Sequence, residues 1–214
     1  MAGAKTILIV DDQPIMRLGL ANLVEGEPEL KVIGEASNTA DGYAKVCRLK
    51  PDLVILDIAV EGDRGIEFIQ SSHDRTSVLV FSLREETLYA ERCLQAGTKG
   101  YVSKRESEGT VLAAIKSVLA GKTVVSPRVR ERLFQRALNG QSHVDRSEVE
   151  QLTDRELEVF ELLGQGATTR QIADRLCVSM KTVQTYHASI KESLGLDNVN
   201  QLIRRAVHYV LEGQ

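Results

Sequence analysis

The run Leu53-Val54-Ile55-Leu56-Asp57 limits what this chain can fold into. Four consecutive apolar residues, two of them β-branched, read as a strand buried on both faces. Double burial is the habit of a parallel sheet covered by helices. The closing carboxylate falls at the carboxyl edge, where open α/β sheets place their ligand sites. A lone Asp there would do no more than cap a turn. This one has company: Ile7-Leu8-Ile9-Val10 ends on Asp11-Asp12, Val78-Leu79-Val80-Phe81 ends on Ser82, and Gly100-Tyr101-Val102-Ser103 ends on Lys104. Acids, a hydroxyl and an ammonium all leave strands at one edge, and that convergence marks a site.

Helical patterns fill the spaces between these strands. Gln13-Pro14 opens a helix with Ile15, Leu18, Leu23 and Val24 at helical spacing. Lys31–Ala36 reads as a strand, and Thr39–Leu49 as a helix with Tyr43, Val46 and Cys47 inward, stopped by Pro51. A polar loop, Glu61–Arg64, precedes a short helix from Gly65 to Ser71 carrying Ile66, Phe68 and Ile69. Further helices span Glu85–Gln95, closed by Gly97, and Glu108–Ala120, closed by Gly121. Strand and helix alternate about five times over roughly 120 residues, the signature of a five-stranded parallel, doubly wound sheet.

From Thr123 the character changes, and beyond Arg146 no strand is evident. Pro127 opens a helical segment, Arg128–Leu138, with Val129, Leu133, Phe134 and Leu138 to one side, and Asn139–Arg146 is a polar, glycine-containing linker. Four short helices follow. Thr153-Asp154-Arg155-Glu156 and Thr168-Thr169-Arg170-Gln171 are capping boxes opening helices that reach Leu163 and Leu176. Ser179 caps a third, ending near Leu194, and Asn198 a fourth with Leu202, Ile203, Ala206, Val207 and Val210 as its buried stripe. The expected organisation is therefore residues 1–122, a linker with a helical segment at 123–147, and a small all-α domain at 148–214.

Composition narrows the function classes. At 214 residues, 43% hydrophobic and 27% charged, the chain can bury a substantial core. No apolar run approaches the ~20 residues of a membrane helix, and Met1–Lys5 lacks a signal-peptide core, so a cytoplasmic protein without membrane contact is expected. Cys47, Cys93 and Cys177 are odd in number and widely spaced, which fits reduced, partly buried thiols rather than disulfides or a metal site.

Carboxylates crowded at one edge repel one another and call for a cation. The donors are all oxygen, which suits a hard ion such as Mg²⁺ completing its shell with water and a phosphate oxygen. With Lys104 as a second positive charge and Ser82 as a donor, these parts permit phosphoryl transfer to an aspartate.

On these motifs (Val10-Asp11-Asp12, Leu56-Asp57 with Gly65 eight residues on, Phe81-Ser82, and Gly100-Tyr101-Val102-Ser103-Lys104) residues 5 to about 121 resemble the receiver domain of bacterial two-component response regulators. The resemblance implies a flavodoxin-like fold, with Asp57 as the phosphoacceptor. It implies Mg²⁺ held by Asp12, Asp57 and the backbone carbonyl of Ala59, with Asp11 acting through water. Ser82 and Tyr101 would be the switch pair, and Lys104 the phosphate-binding lysine. Three positions depart from the family pattern: Val60-Glu61 stands where Met-Pro is common, Leu83 where a small residue is common, and Arg105 where a proline often follows the lysine. These bear on rates rather than on the reaction, since no required group is lost.

Residues 151–207 resemble the LuxR-type helix-turn-helix, LTDRELEVFELLGQGATTRQIADRL matching its first two helices and VSMKTVQTYHASIKESLGL the turn and recognition helix. Ile172, Ala173 and Leu176 are expected to pack against Val183, Ile190 and Leu194. Lys181, Gln184, Thr185, Ala188 and Lys191 are then left on an outward face suited to the major groove. Lys181 and Lys191 fit phosphates, Thr182 a neutral phosphate contact, and Gln184, Thr185 and Ala188 base edges. His187 either touches phosphate or faces solvent. Residues 148–214 hold seven Lys+Arg against ten Asp+Glu, but from Gly164 onward the balance is six basic to four acidic. Such weak local basicity points to modest affinity per monomer and a homodimer on two half-sites.

The combined reading is a regulator similar to the NarL/FixJ class: a sensor histidine kinase phosphorylates Asp57, and the switch promotes dimerisation and binding to double-stranded promoter DNA. No enzymatic activity is expected beyond Mg²⁺-dependent self-phosphorylation and autodephosphorylation. A stand-alone aspartyl-phosphate phosphatase is disfavoured because no substrate-specificity insertion is present and the helical tail offers no catalytic residues. A phosphorylation-independent DNA-binding regulator is disfavoured by the intact Asp11, Asp12, Asp57, Ser82 and Lys104 set.

Overall fold

The structure, a computed structural model, describes residues 3–60, 65–138 and 148–212. The expected loops at Glu61–Arg64 and Asn139–Arg146 lie outside the described residues. The chain divides into two compact units, Met1–Leu138 and Asn139–Gln214.

In the first unit, β1 (Lys5–Val10), β2 (Leu30–Ala36), β3 (Leu53–Leu56), β4 (Ser77–Ser82) and β5 (Gly100–Ser103) form a parallel sheet in the order β2-β1-β3-β4-β5. Every residue of β3 is buried, as its uninterrupted apolar run requires of a central strand. Between the strands run α1 (Pro14–Glu25), α2 (Thr39–Leu49), α3 (Gly65–Ser72), α4 (Glu86–Ala96) and α5 (Glu108–Leu119). Ile7, Ile9, Leu53, Ile55, Leu79 and Val102 from the sheet pack with Leu20 and Val24 of α1 and Val111, Ala114, Ile115 and Val118 of α5 in one core. At about 1.5–3 kcal/mol per fully buried aliphatic side chain, this core holds the strand ends in register.

Several helices present a different face from the one expected. On α1, Leu20 and Val24 are buried, whereas Ile15 and Leu18 are 77% and 59% exposed. Leu23 and Val24 thus lie inward as expected, but Met16 and Leu20 take the inner places given to Ile15 and Leu18 in the first turns. On α2 the inner residues are Gly42 and Val46, while Tyr43 and Cys47 are exposed. Gly42 faces Val10 and Phe68 so closely that a Cβ would lie 3.0 Å from Val10 Cγ2, so the helix sits on the sheet through its glycine rather than its tyrosine. Cys93 is buried, Cys47 and Cys177 are exposed, and none of the three is in a disulfide.

Helix α6 (Pro127–Leu138) belongs to the first unit rather than to a separate linker. Val124 forms a one-residue parallel bridge to Gly100 on the β5 edge, with Tyr101 N donating to Val124 O (2.9 Å) and Val124 N to Lys99 O (2.9 Å). The Ser126 amide donates to Glu86 Oε1 (2.8 Å) and Arg132 Nη1 to Thr87 O (2.9 Å), fastening α6 to the start of α4. Val129 is buried beneath it, but Phe134, expected on the same side, is 56% exposed.

The second unit opens with a 3₁₀ turn at Glu148–Gln151 and continues as α7 (Asp154–Gly164), α8 (Thr169–Arg175), α9 (Met180–Ser193) and α10 (Val199–Glu212). Both expected capping boxes are present, with Thr153 paired to Glu156 and Thr168 to Gln171. Ser179 caps α9 and Asn198 Oδ1 accepts from Gln201 N (3.0 Å) at the start of α10. Leu202 and Ala206 are fully buried on α10, while Ile203 is 38% exposed and so leaves the expected stripe. Gly164 lets α7 and α10 touch: a Cβ there would stand 2.3 Å from Ala206 O and 2.6 Å from Val210 Cγ2.

Candidate functional site

The sheet order sets the site. β3 lies between β1 and β4, so Asp57, one residue past β3, stands between Asp11 at the end of β1 and Ser82 at the end of β4. Asp57 N donates to Val10 O (2.9 Å) and Lys104 N to Ser82 O (2.9 Å), which carries the ladder alignment out to the functional side chains. Gly65 allows the start of α3 to close under this loop, because a Cβ there would fall 2.4 Å from Ile58 Cα.

The Asp57 carboxylate is 3% exposed and fully engaged. Its Oδ1 accepts from Ser82 Oγ (2.7 Å) and from the Ala59 amide (3.0 Å), and its Oδ2 from Lys104 Nζ (2.7 Å). Lys104 Nζ also ion-pairs with Asp11 Oδ2 at 2.6 Å. Asp11 Oδ1 accepts from the Gln13 amide (2.8 Å), and its backbone carbonyl from Arg17 Nη1 (2.7 Å), a guanidinium that also reaches Glu35 on β2. Burial raises the Asp11 carboxyl above its ordinary range, against the opposing bonds from Lys104 and Gln13. Burial would lower Lys104, but attraction to Asp57 and bonds to Asp11 and Asp57 outweigh it and hold the ammonium raised.

Carboxylate oxygens of Asp11, Asp12 and Asp57 lie within 4.8 Å of one another. Set against the single Lys104 ammonium, three ionised acids leave two negative charges, the complement of a divalent cation bound through oxygen. Asp12 is exposed, which leaves its carboxylate accessible to such an ion. Tyr101 is 1% exposed, and its hydroxyl donates to Arg84 O at 2.9 Å. Burial pushes the phenol well above its usual range, so it stays a donor. Leu83 projects outward, 56% exposed, beside the site. The structure thus assembles Asp11, Asp12, Asp57, Ala59, Ser82 and Lys104 in one place and turns Tyr101 inward behind them. The anchoring role of Arg17 had no signal in the sequence beyond one basic residue on α1.

In the second unit, Ile172, Ala173 and Leu176 at α8 and Val183, Ile190 and Leu194 at α9 are all buried, as a scaffold and recognition pair requires. Lys181, Gln184, Thr185 and Ala188 are exposed, and Thr182 and Lys191 half-buried. Thr182 Oγ1 bonds to Ser179 Oγ within the cap (2.8 Å), and Thr185 Oγ1 donates to Lys181 O (3.1 Å), so that hydroxyl is engaged by its own helix. Glu156 was legible only as a capping residue, yet it also accepts from Ser189 Oγ and ties α7 to α9.

His187 corrects the expectation that it meets phosphate or solvent: it is 7% exposed, and its Nε2 is buried with no hydrogen-bond partner among the described residues. Its position, four residues after Val183 and three before Ile190, puts it on the inner face of α9. Burial, and secondarily the Lys191 charge, depresses the imidazole below its ordinary value of 6.5. A depressed His stabilises the fold above 6.5, and that contribution is lost as pH falls through its folded value. We expect the His187 ring to titrate below 6.5 by NMR, and His187→Phe to flatten the stability loss on acidification below that point. A ring titrating above 6.5 would contradict this burial.

A parallel sheet bearing an acid–lysine edge, followed by a helix-turn-helix unit, defines a receiver coupled to a DNA-binding output. Family models for the response regulator receiver domain and for bacterial regulatory proteins of the luxR family match residues 7–116 and 150–206. Response regulator GacA of Pseudomonas viridiflava is 31% identical, with 95% of both chains covered. Transcriptional regulatory protein LnrK of Bacillus subtilis is also 31% identical, over 95% of this chain and 96% of LnrK. Among solved structures, RcsB of Salmonella enterica serovar Typhimurium bound to promoter rprA with phosphomimetic BeF₃⁻ superposes with a TM-score of 0.62. It is 22% identical, over 94% of this chain and 98% of RcsB, a likeness of fold. The chain belongs to the NarL/FixJ-class response regulators, transcription regulators that join a receiver to a LuxR-type DNA-binding domain.

Proposed function

We propose that this chain is a phosphorylation-controlled, sequence-specific transcription regulator of the cytoplasm, driven by a sensor histidine kinase. One observation carries the reading: the Asp57 carboxylate is held by Ser82, Ala59 and Lys104 within an acid cluster of net charge suited to a divalent ion. An Asp57 oxygen attacks the phosphorus of a phosphohistidine, the P–N bond breaks, and an aspartyl phosphate forms as the imidazole leaves with the electron pair. Asp11, Asp12, Asp57 and the Ala59 carbonyl would hold Mg²⁺ here, and the ion would supply charge neutralisation for an incoming phosphoryl group. Lys104 neutralises a phosphoryl oxygen, and the Ser82 hydroxyl donates to another. Tyr101, already buried behind Ser82, completes the switch pair. On this reading the chemistry of the chain is its own phosphorylation and autodephosphorylation at Asp57.

Phosphate acts only through its different affinity for two receiver states, so the switch is a population shift that favours dimerisation and promoter binding. On the exposed face of α9, Lys181 and Lys191 meet phosphates, with Thr182 beside them, and Gln184, Thr185 and Ala188 face base edges. DNA-binding selection on the phosphorylated protein, repeated with Asp57→Asn, tests the whole reading; enrichment of one motif only with phosphorylatable protein is expected. Equal enrichment in both arms would overturn phosphorylation control.

On the selected site, Gln184→Ala should cost about 1–3 kcal/mol and leave random DNA almost unaffected. Lys181→Ala should weaken all sequences alike and lower the salt slope by about one. Equal losses on both DNAs for Gln184→Ala would remove that residue from base reading.

A further inference from the structure

Helix α6 is held from both sides of the switch. Ser82 Oγ, 2.7 Å from Asp57 Oδ1, also lies 3.4 Å from the amide of Arg84, whose carbonyl accepts from Tyr101 Oη at 2.9 Å. Two and three residues past Arg84, Glu86 and Thr87 take the Ser126 amide and the Arg132 guanidinium. From the other side, the Tyr101 amide donates to Val124 O, and Val129 is buried with 2% exposure. Both members of the switch pair are therefore joined to residues 124–132 by hydrogen bonds and short lengths of backbone, Ser82 through Arg84–Thr87 and Tyr101 through its own amide.

We propose that α6 is a phosphorylation-stabilised clasp: loading of Asp57 tightens the segment Val124–Leu138 onto the start of α4 and the edge of β5. The proposal rests on Asp57 being the phosphoacceptor. The direction follows from the geometry. α6 is docked on the form in which the Ser82 hydroxyl turns to Asp57 and Tyr101 is buried against the Arg84 carbonyl. A phosphoryl group carries about two negative charges where the Asp57 carboxylate carries one, so Ser82 gains a stronger acceptor. That form, and the docked helix with it, gains population. Linkage makes the effect reciprocal: a docked α6 must favour the loaded receiver by the same factor.

The test is hydrogen–deuterium exchange on the full chain, with and without a small phosphoryl donor in Mg²⁺, following amides 128–135 while intact mass reports phosphoryl stoichiometry. Loading is expected to slow α6 exchange at least about fivefold, the lower end of ordinary coupling factors. Glu86→Ala with Arg132→Ala should leave α6 exchanging fast in both states while Asp57 still loads stoichiometrically. Normal loading with unchanged α6 exchange overturns the clasp alone. Absence of the phosphoryl mass overturns the proposed acceptor, and the clasp with it. Slow, responsive α6 exchange in the double variant would show that these two anchors do not hold the helix.

Discussion

Asp57→Asn is expected to take phosphoryl uptake from one group per chain to none. A carboxamide oxygen is a poor nucleophile, and its NH₂ would face donors: Ser82 Oγ and the Ala59 amide on one side or Lys104 Nζ on the other. The fold should survive, because Lys104 keeps its 2.6 Å ion pair with Asp11 and the cluster loses one of its mutually repelling charges. Intact-mass measurement after treatment with a small donor in Mg²⁺ reads the result directly. A full phosphoryl mass on the variant would move the acceptor elsewhere.

The second large effect concerns the output unit. Gly164→Val places a Cβ 2.3 Å from Ala206 O and 2.7 Å from Ala206 C, and these are backbone atoms that no rotamer change can move. α10 must shift away from α7, and Leu202 and Ala206, both fully buried, lose their packing. Overpacking against backbone at such a crossing costs roughly 3 kcal/mol or more. Melting followed by circular dichroism should show the loss. Phosphoryl uptake at Asp57 should remain stoichiometric, since the acceptor lies in the other compact unit. An unchanged melt would mean that the α7–α10 crossing yields without cost.

What was legible in the chain and what was not have separate physical reasons. Strand ends were readable because each apolar run breaks at a polar residue that needs a partner, Asp11, Asp57, Ser82 or Ser103-Lys104, at or just past the last rung of its strand. Caps were readable because Thr153, Thr168 and Ser179 satisfy local amides by local chemistry. Helix phase was harder. α1 carries apolar residues on more than one side, and spacing alone made Ile15 and Leu18 look as eligible as Leu20. His187 was misplaced for a related reason: it is polar by type yet sits between Val183 and Ile190 on the inner face. The docking of α6 depends on Ser126 and Arg132 meeting Glu86 and Thr87 some forty residues away, a pairing that no local pattern encodes.

The placement of α6 also redraws what counts as an exchangeable module. A chimera joined at residue 122 would strip the receiver of Val124 from its sheet edge and leave Glu86 and Thr87 without their ligands. A junction placed after Leu138 carries the helix with the receiver that holds it. Gene fusion or recombination that trades output domains between such regulators preserves the input half only if it respects that later seam. The heritable building block here is a receiver with its own sixth helix attached.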